Sequence, residues 1–227
     1  MSSIETYPDA DALADAVATA IAYALGPAGA VSLVVTGGTT VGPAYDRLAQ
    51  IDLEWSRVTL VLSDERFVAS SSPDSNERLI RERLMVGCAA RATLVPLRGA
   101  GQTPDEDAVA AEPRLKEMAP YASVLLGMGG DGHIASLFEG APGLGEALDP
   151  DGDRLCVGVP MSGEEPRLPR ISLTLAALLN THVILVAITG AAKRAVVERV
   201  LADETYTPPV AAILRQTRAP IRVLWAP

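Results

Sequence analysis

His133 is one of only two histidines in the chain, and it closes the run Gly127-Met128-Gly129-Gly130-Asp131-Gly132-His133. An imidazole ordinarily titrates near pH 6.5, so this residue type can take a proton from water near neutrality and give it back. Asp131, two residues earlier, could orient such a ring and stabilise its charged form. The glycines suit the same chemistry. They accept positive φ, let a ligand approach bare backbone and present N–H groups to a developing oxyanion, Gly129 and Gly130 among them. Gly127-x-Gly129-x-x-Gly132 also has the spacing of a dinucleotide-binding loop. In such a loop Asp131 would set a carboxylate beside a pyrophosphate, so a catalytic loop is the better reading. The plain alternative is a turn in which His133 caps a neighbouring group.

Three further stretches carry candidate chemistry. Thr36-Gly37-Gly38-Thr39-Thr40 follows an apolar run and precedes a helical pattern. Glycines, neutral hydroxyl donors and a helix start are what a phosphate needs, although no Gly-Lys-Ser/Thr closes the loop as in a P-loop. A tight turn with a threonine N-cap would also account for it. Ser63-Asp64-Glu65-Arg66 puts three charges at the end of another apolar run, where loops converge on ligands in open α/β folds. Asp64 is thus a second carboxylate for the imidazole and Arg66 a candidate anion contact, unless the segment is a solvated loop or a local ion pair. Lys193 stands in the first turn of a predicted helix, against the helix dipole; it fits there if it faces a bound anion, and otherwise is an exposed lysine. His133 has no second histidine or cysteine at ligand spacing, and His182 leads into a strand, so no metal or other cofactor is expected. Trp55 and Trp225 read as core or rim residues and Met128 as packing.

These loops need a scaffold. Apolar spacing predicts a helix over 13–24, then a strand at 31–35, a helix at about 43–50 and a strand at 58–62. A helix over 76–84, a strand at 94–97 and a helix over 105–118 follow, the last bent or split by Pro113. The central stretch 124–138 reads as a strand, a tight loop and a helix start, and 139–153 as a long surface connection. Beyond it come a strand at 155–159, an irregular stretch at 161–169, a helix over 173–179, a strand at 183–188, helices at 191–202 and 210–214, and a strand at 221–225. Strands alternating with helices imply a doubly wound α/β fold: a mainly parallel, Rossmann-like sheet with helices on both faces.

The 227 residues, 48% of them hydrophobic, suffice for one core, and no linker divides them, so residues 1–227 are expected to form a single domain. A net charge of −9 argues against nucleic-acid and membrane partners and leaves any anionic ligand to a few chosen basic side chains. Cys88 and Cys156 lack the spacing of a disulfide framework or a zinc ribbon. The N-terminal segment carries acids where a signal peptide needs bases, and no apolar run approaches a membrane span. A cytoplasmic monomer is expected.

Four pieces in this order are similar to one family: Thr36 to Thr40, Ser63 to Arg66, Leu126 to Phe138 with its Asp131-Gly132-His133 centre, and Arg170-Ile171-Ser172-Leu173-Thr174 followed by Gly190-Ala191-Ala192-Lys193. Over nearly its whole length the chain resembles the 6-phosphogluconolactonases. The resemblance implies hydrolysis of 6-phospho-D-glucono-1,5-lactone in the oxidative pentose phosphate pathway, with His133 as base. It also implies that Thr39, Thr40, Arg170 and Lys193 hold the phosphate. Glucosamine-6-phosphate deaminases share the Asp-Gly-His core but carry a glutamate seven residues after the aspartate. Here that position is Phe138, with Glu139 one place later, which favours the lactonase register. A sugar-phosphate-binding sensor without turnover is the remaining alternative.

Overall fold

The computed structural model describes residues 4–26, 29–160 and 168–227. The chain opens with β1 (Ile4–Thr6), a strand too short to read from the sequence, and α1 (Ala10–Leu25). Asp9 starts that helix: its backbone is extended and its side chain accepts the Ala12 N–H, one of the donors a first turn leaves open. Leu13, Val17, Ile21 and Leu25 form the buried stripe. β2 (Val31–Val35), α2 (Gly42–Leu48), β3 (Val58–Leu62), β4 (Asp64–Arg66), α3 (Asn76–Arg83) and β5 (Thr93–Val95) make the first half. Next come α4 (Pro104–Met118), β6 (Ser123–Leu126), α5 (Leu144–Ala147), β7 (Cys156–Val159), β8 (Arg170–Leu173) and α6 (Leu175–Leu179). The chain finishes through β9 (Ile184–Thr189), α7 (Ala191–Ala202), α8 (Val210–Leu214) and β10 (Ile221–Ala226).

Seven strands pair, all parallel, in the order β1-β10-β9-β6-β2-β3-β5. β6 is buried along its whole length and β9 at all but its last residue, which is why both read as unbroken apolar runs. From β2 the chain winds outward through β3 and β5; from β6 it winds the opposite way through β9 and β10. The reversal falls between β2 and β6, where Leu33 lies opposite Ser123. At such a switch point the loops leaving two adjacent strands diverge and open a crevice at the carboxyl edge. The two loops that meet there are 36–40 and 127–133, the two richest in candidate chemistry. The doubly wound, mainly parallel reading therefore holds, and the topology explains why those loops converge.

Four local expectations change. No helix follows the central loop: Ile134 and Leu137 close a tight turn by an isolated bridge, and the next helix begins only at Leu144. Pro113 does not split α4, because it lies on the exposed face, where water can serve the carbonyl its ring leaves without a donor. The helix expected from 173 begins only at Leu175, because residues 170–173 are a strand that pairs antiparallel with β4 on one side and β7 on the other in a second, three-stranded sheet. Val41, with no side-chain bond, is the N-cap of α2, so Thr39 and Thr40 are not spent on capping. Of the irregular stretch at 161–169, residues 161–167 lie outside the described residues. The 139–153 connection is a largely exposed loop that contains α5.

Candidate active site

A cavity of about 210 Å³ opens at the switch point. Gly37, Gly38, Thr39, Thr40, Asp64, Arg66, Gly129, His133, Arg170 and Lys193 all line it, so the four separated sequence pieces meet in one place. Asp131 and Gly130 do not line it; both are exposed, and Asp131 is joined to the cavity through His133. A larger cavity, about 460 Å³, lies under the 141–159 segment. Asp105, Glu146, Asp149, Asp151 and Asp153 border it against a single arginine, Arg154, so its charge opposes an anionic ligand.

His133 is held on three sides. Its Nδ1 lies 2.6 Å from Asp131 Oδ1, and its own backbone N–H donates to the same oxygen at 3.1 Å. The Phe138 ring packs on the imidazole with centroids 4.4 Å apart. A carboxylate on Nδ1 fixes the tautomer with the proton there, leaving Nε2 as an acceptor. Burial pushes the Asp131 carboxyl up, but the His133 N–H, the imidazole charge and the side-chain hydrogen bond outweigh it and hold the group below the usual carboxylate range. With its folded value depressed, this partnership is complete at neutral pH and is lost only as pH falls through that lowered value. Of the two aspartates, Asp131 is the one on the ring. Asp64, 5% exposed, instead receives Ser63 Oγ at 2.8 Å and Ser136 Oγ at 2.6 Å.

Gly129 is needed for this arrangement, since a Cβ there would collide with the His133 ring and the Asp131 carboxylate. Gly129→Ala should therefore lower kcat by roughly 10- to 100-fold with an unchanged circular dichroism spectrum; unaltered turnover would show that the ring has room to spare. The Gly129 N–H donates to His133 C=O and the Gly132 N–H to Gly129 C=O. Those two N–H groups are thus spent within the loop, whereas Gly37 and Gly38 line the cavity from the opposite loop.

The three consecutive charges divide their work. Arg66 and Asp64 face the cavity, whereas Glu65, 1% exposed, turns inward and accepts from the Arg66, Asn76 and Glu77 N–H groups and from Ser75 Oγ, all at 2.7 to 2.9 Å. Burial pushes the Glu65 carboxyl up against these donors. Its task is to tie the start of α3 to β4. Glu65→Ala leaves buried helix N–H groups unpaired and should destabilise the fold by about 2 to 4 kcal/mol, lowering Tm by roughly 5 to 15 °C; a melting curve checks it.

β4 and β8 pair so that Arg66 is directly opposite Arg170. Like charges in register destabilise a sheet. Both Nε atoms are also buried without a hydrogen-bond partner among the described residues. Burial lowers the Arg170 pKa, Asp64 opposes that change and Arg66 adds to it. Two desolvated guanidiniums with unspent donors, side by side in a cavity, are a site for an anion. Asn76 braces Arg66 against β4: its Oδ1 accepts from Arg66 Nη1 at 2.7 Å, and its Nδ2 donates to Asp64 C=O at 2.8 Å. Sequence reasoning missed Asn76, whose only signal was a place at the start of a helix beside the charged triplet. On the far side Gly190 is the N-cap of α7 and offers no side-chain bond, and Thr189 Oγ1 lies 3.3 Å from Thr40 Oγ1. Lys193 and Thr40 line the same cavity, and with the uncapped α7 terminus they are donor types that suit an anion. Trp225, partly buried against the core, donates Nε1–H to Gly190 C=O, and Trp55 is core. Met128 packs in the core and also lines the cavity.

A family model for glucosamine-6-phosphate isomerases/6-phosphogluconolactonase matches residues 8–225. A 6-phosphogluconolactonase of Caulobacter vibrioides is 47% identical over 216 residues, 95% of this chain and 92% of its own. One of Rhizobium meliloti is 38% identical over 221 residues, 96% and 94% of the two chains. The crystal structure of a 6-phosphogluconolactonase from Shewanella baltica shares the fold with a TM-score of 0.93 and 32% identity, covering 100% of this chain and 98% of that one. Sequence and architecture agree along the full length, and the chain belongs to the glucosamine-6-phosphate isomerase/6-phosphogluconolactonase family.

Proposed function

We propose that the chain hydrolyses 6-phospho-D-glucono-1,5-lactone to 6-phosphogluconate in the oxidative pentose phosphate pathway, as a single-domain monomer in the cytoplasm. The observation that carries this reading is the meeting, in one cavity, of the His133–Asp131 pair and the Arg66–Arg170 pair. One is suited to activate water and the other to hold a phosphate. His133 Nε2 takes a proton from water as the water oxygen adds to the lactone carbonyl carbon. The Gly37 and Gly38 N–H groups receive the oxyanion. Collapse of the tetrahedral intermediate breaks the bond from that carbon to the ring oxygen, and the imidazolium returns its proton to that oxygen as a hydroxyl. The new carboxylic acid then loses its proton to solvent. Among the described residues no helix is long and apolar enough to cross a membrane, which is compatible with the cytoplasmic placement.

The register of the central loop supports lactone opening over deamination. Phe138 occupies the place where the deaminases carry their glutamate and packs on the imidazole, while Glu139 is exposed. Parallel incubations with fresh 6-phosphogluconolactone and with glucosamine 6-phosphate test this. Lactone opening well above the spontaneous rate, with no ammonia from the amino sugar, is expected. Ammonia release without lactone turnover would overturn the reading, and tight binding of 6-phosphogluconate with neither activity would identify a sensor.

A further inference from the structure

Ala135 is the only non-glycine residue with positive φ, +47°, among the described residues, and it lines the cavity between His133 and Ser136. An alanine gains nothing locally from this conformation, so the surroundings must impose it. The neighbour that can do so is Ser136, which is fully buried. Its Oγ donates to Asp64 Oδ2 at 2.6 Å, and its N–H donates to Ser172 Oγ at 3.1 Å. Asp64 lies at the β3–β4 junction and Ser172 on β8, so the turn that follows His133 is pinned to the second sheet at two points. Asp64 Oδ1 meanwhile accepts from Ser63 Oγ, which lies 3.0 Å from Thr36 Oγ1 in the glycine loop after β2. One carboxylate thereby joins the two loops of the switch point.

We propose that Ser136 is a positioning residue for His133: tethered by Asp64 and Ser172, it holds the strained turn at Ala135 and so fixes where the imidazole points. The inference rests on the lactonase reading for its kinetic consequence but not for its structural one. Asp64, on this account, acts through Ser136 on the base and not as a partner of the ring.

Two variants and their combination test it. Ser136→Ala should lower kcat by roughly 10-fold or more with KM for the lactone within about twofold. In the Ala135→Gly background, where a glycine adopts positive φ freely, the same Ser136→Ala change should reduce kcat only about two- to threefold. His133 and His182 are the two histidines, so their ring protons are separable by NMR. The His133 resonances, displaced by the Phe138 face, should move toward those of an exposed histidine in Ser136→Ala. If that variant does not melt cooperatively, Ser172→Ala removes the other tether and is read by the same criteria. Equal kcat losses in both backgrounds, a loss that falls on KM, or unmoved His133 resonances would overturn the proposal. Moved resonances in a protein whose wild type opens no lactone would defeat only the functional reading.

Discussion

Replacing His133 with alanine is expected to lower kcat by roughly 10²- to 10⁴-fold, the range for loss of a general base, and to leave KM within a few-fold. The split follows from where the ring is and what touches it. Asp131 engages Nδ1 and Phe138 packs on the ring, which leaves Nε2 as the acceptor nitrogen in the cavity, while the basic side chains Arg66, Arg170 and Lys193 come from other elements and survive the change. The side chain is partly exposed and lies outside the buried core, so the variant should fold and melt like the wild type. Steady-state kinetics on fresh lactone, with circular dichroism in parallel, measure both. Equal damage to kcat and KM, traced to unfolding, would remove the base assignment.

The second large effect is expected at Arg170, and it should appear in the other parameter. A charge-assisted hydrogen bond contributes about 1.5 to 3 kcal/mol, and Arg170 brings a fork of donors with a buried, unspent Nε. Arg170→Ala should raise KM by roughly 10- to 100-fold and change kcat only a few-fold. The same substitution removes a like-charge neighbour of Arg66 across the β4–β8 pair, so Tm in the absence of substrate should hold or rise. That combination separates a ligand-binding arginine from a structural one, whose loss would lower Tm. Arg170→Lys should recover only part of the affinity, because an ammonium lacks the planar fork. A fall in Tm with KM unchanged would contradict the phosphate role.

What could be read from the sequence, and what could not, follows from how far each signal travels along the chain. β2, β3 and β9 are runs of apolar residues buried in a parallel sheet, a local signal, and α7 and α8 begin and end where their periodicity does. The glycine loops were legible for the same reason: backbone freedom needed at one point is written at that point. The arginine pair was not. β4 is three charged residues long and becomes a strand only because β8, more than a hundred residues later, pairs with it. Ile134, Leu137 and Phe138 are spaced as one helical face, yet they fill the core side of a turn, because Ser136 is drawn to Asp64 and Ser172. The choice between Asp131 and Asp64 as the partner of His133 likewise needed coordinates. Both are close to the cavity, and only the hydrogen bonds separate them.

The most direct measurement is kcat/KM of the wild-type protein for 6-phosphogluconolactone beside that for unphosphorylated glucono-1,5-lactone, each corrected for spontaneous opening. If one cavity joins a histidine base to a grip on phosphate, the phosphorylated lactone should be favoured by roughly 10²-fold or more, two or more charged hydrogen bonds' worth, and the preference should collapse in Arg170→Ala. Equal turnover of the two lactones, or none of either above background, would contradict it.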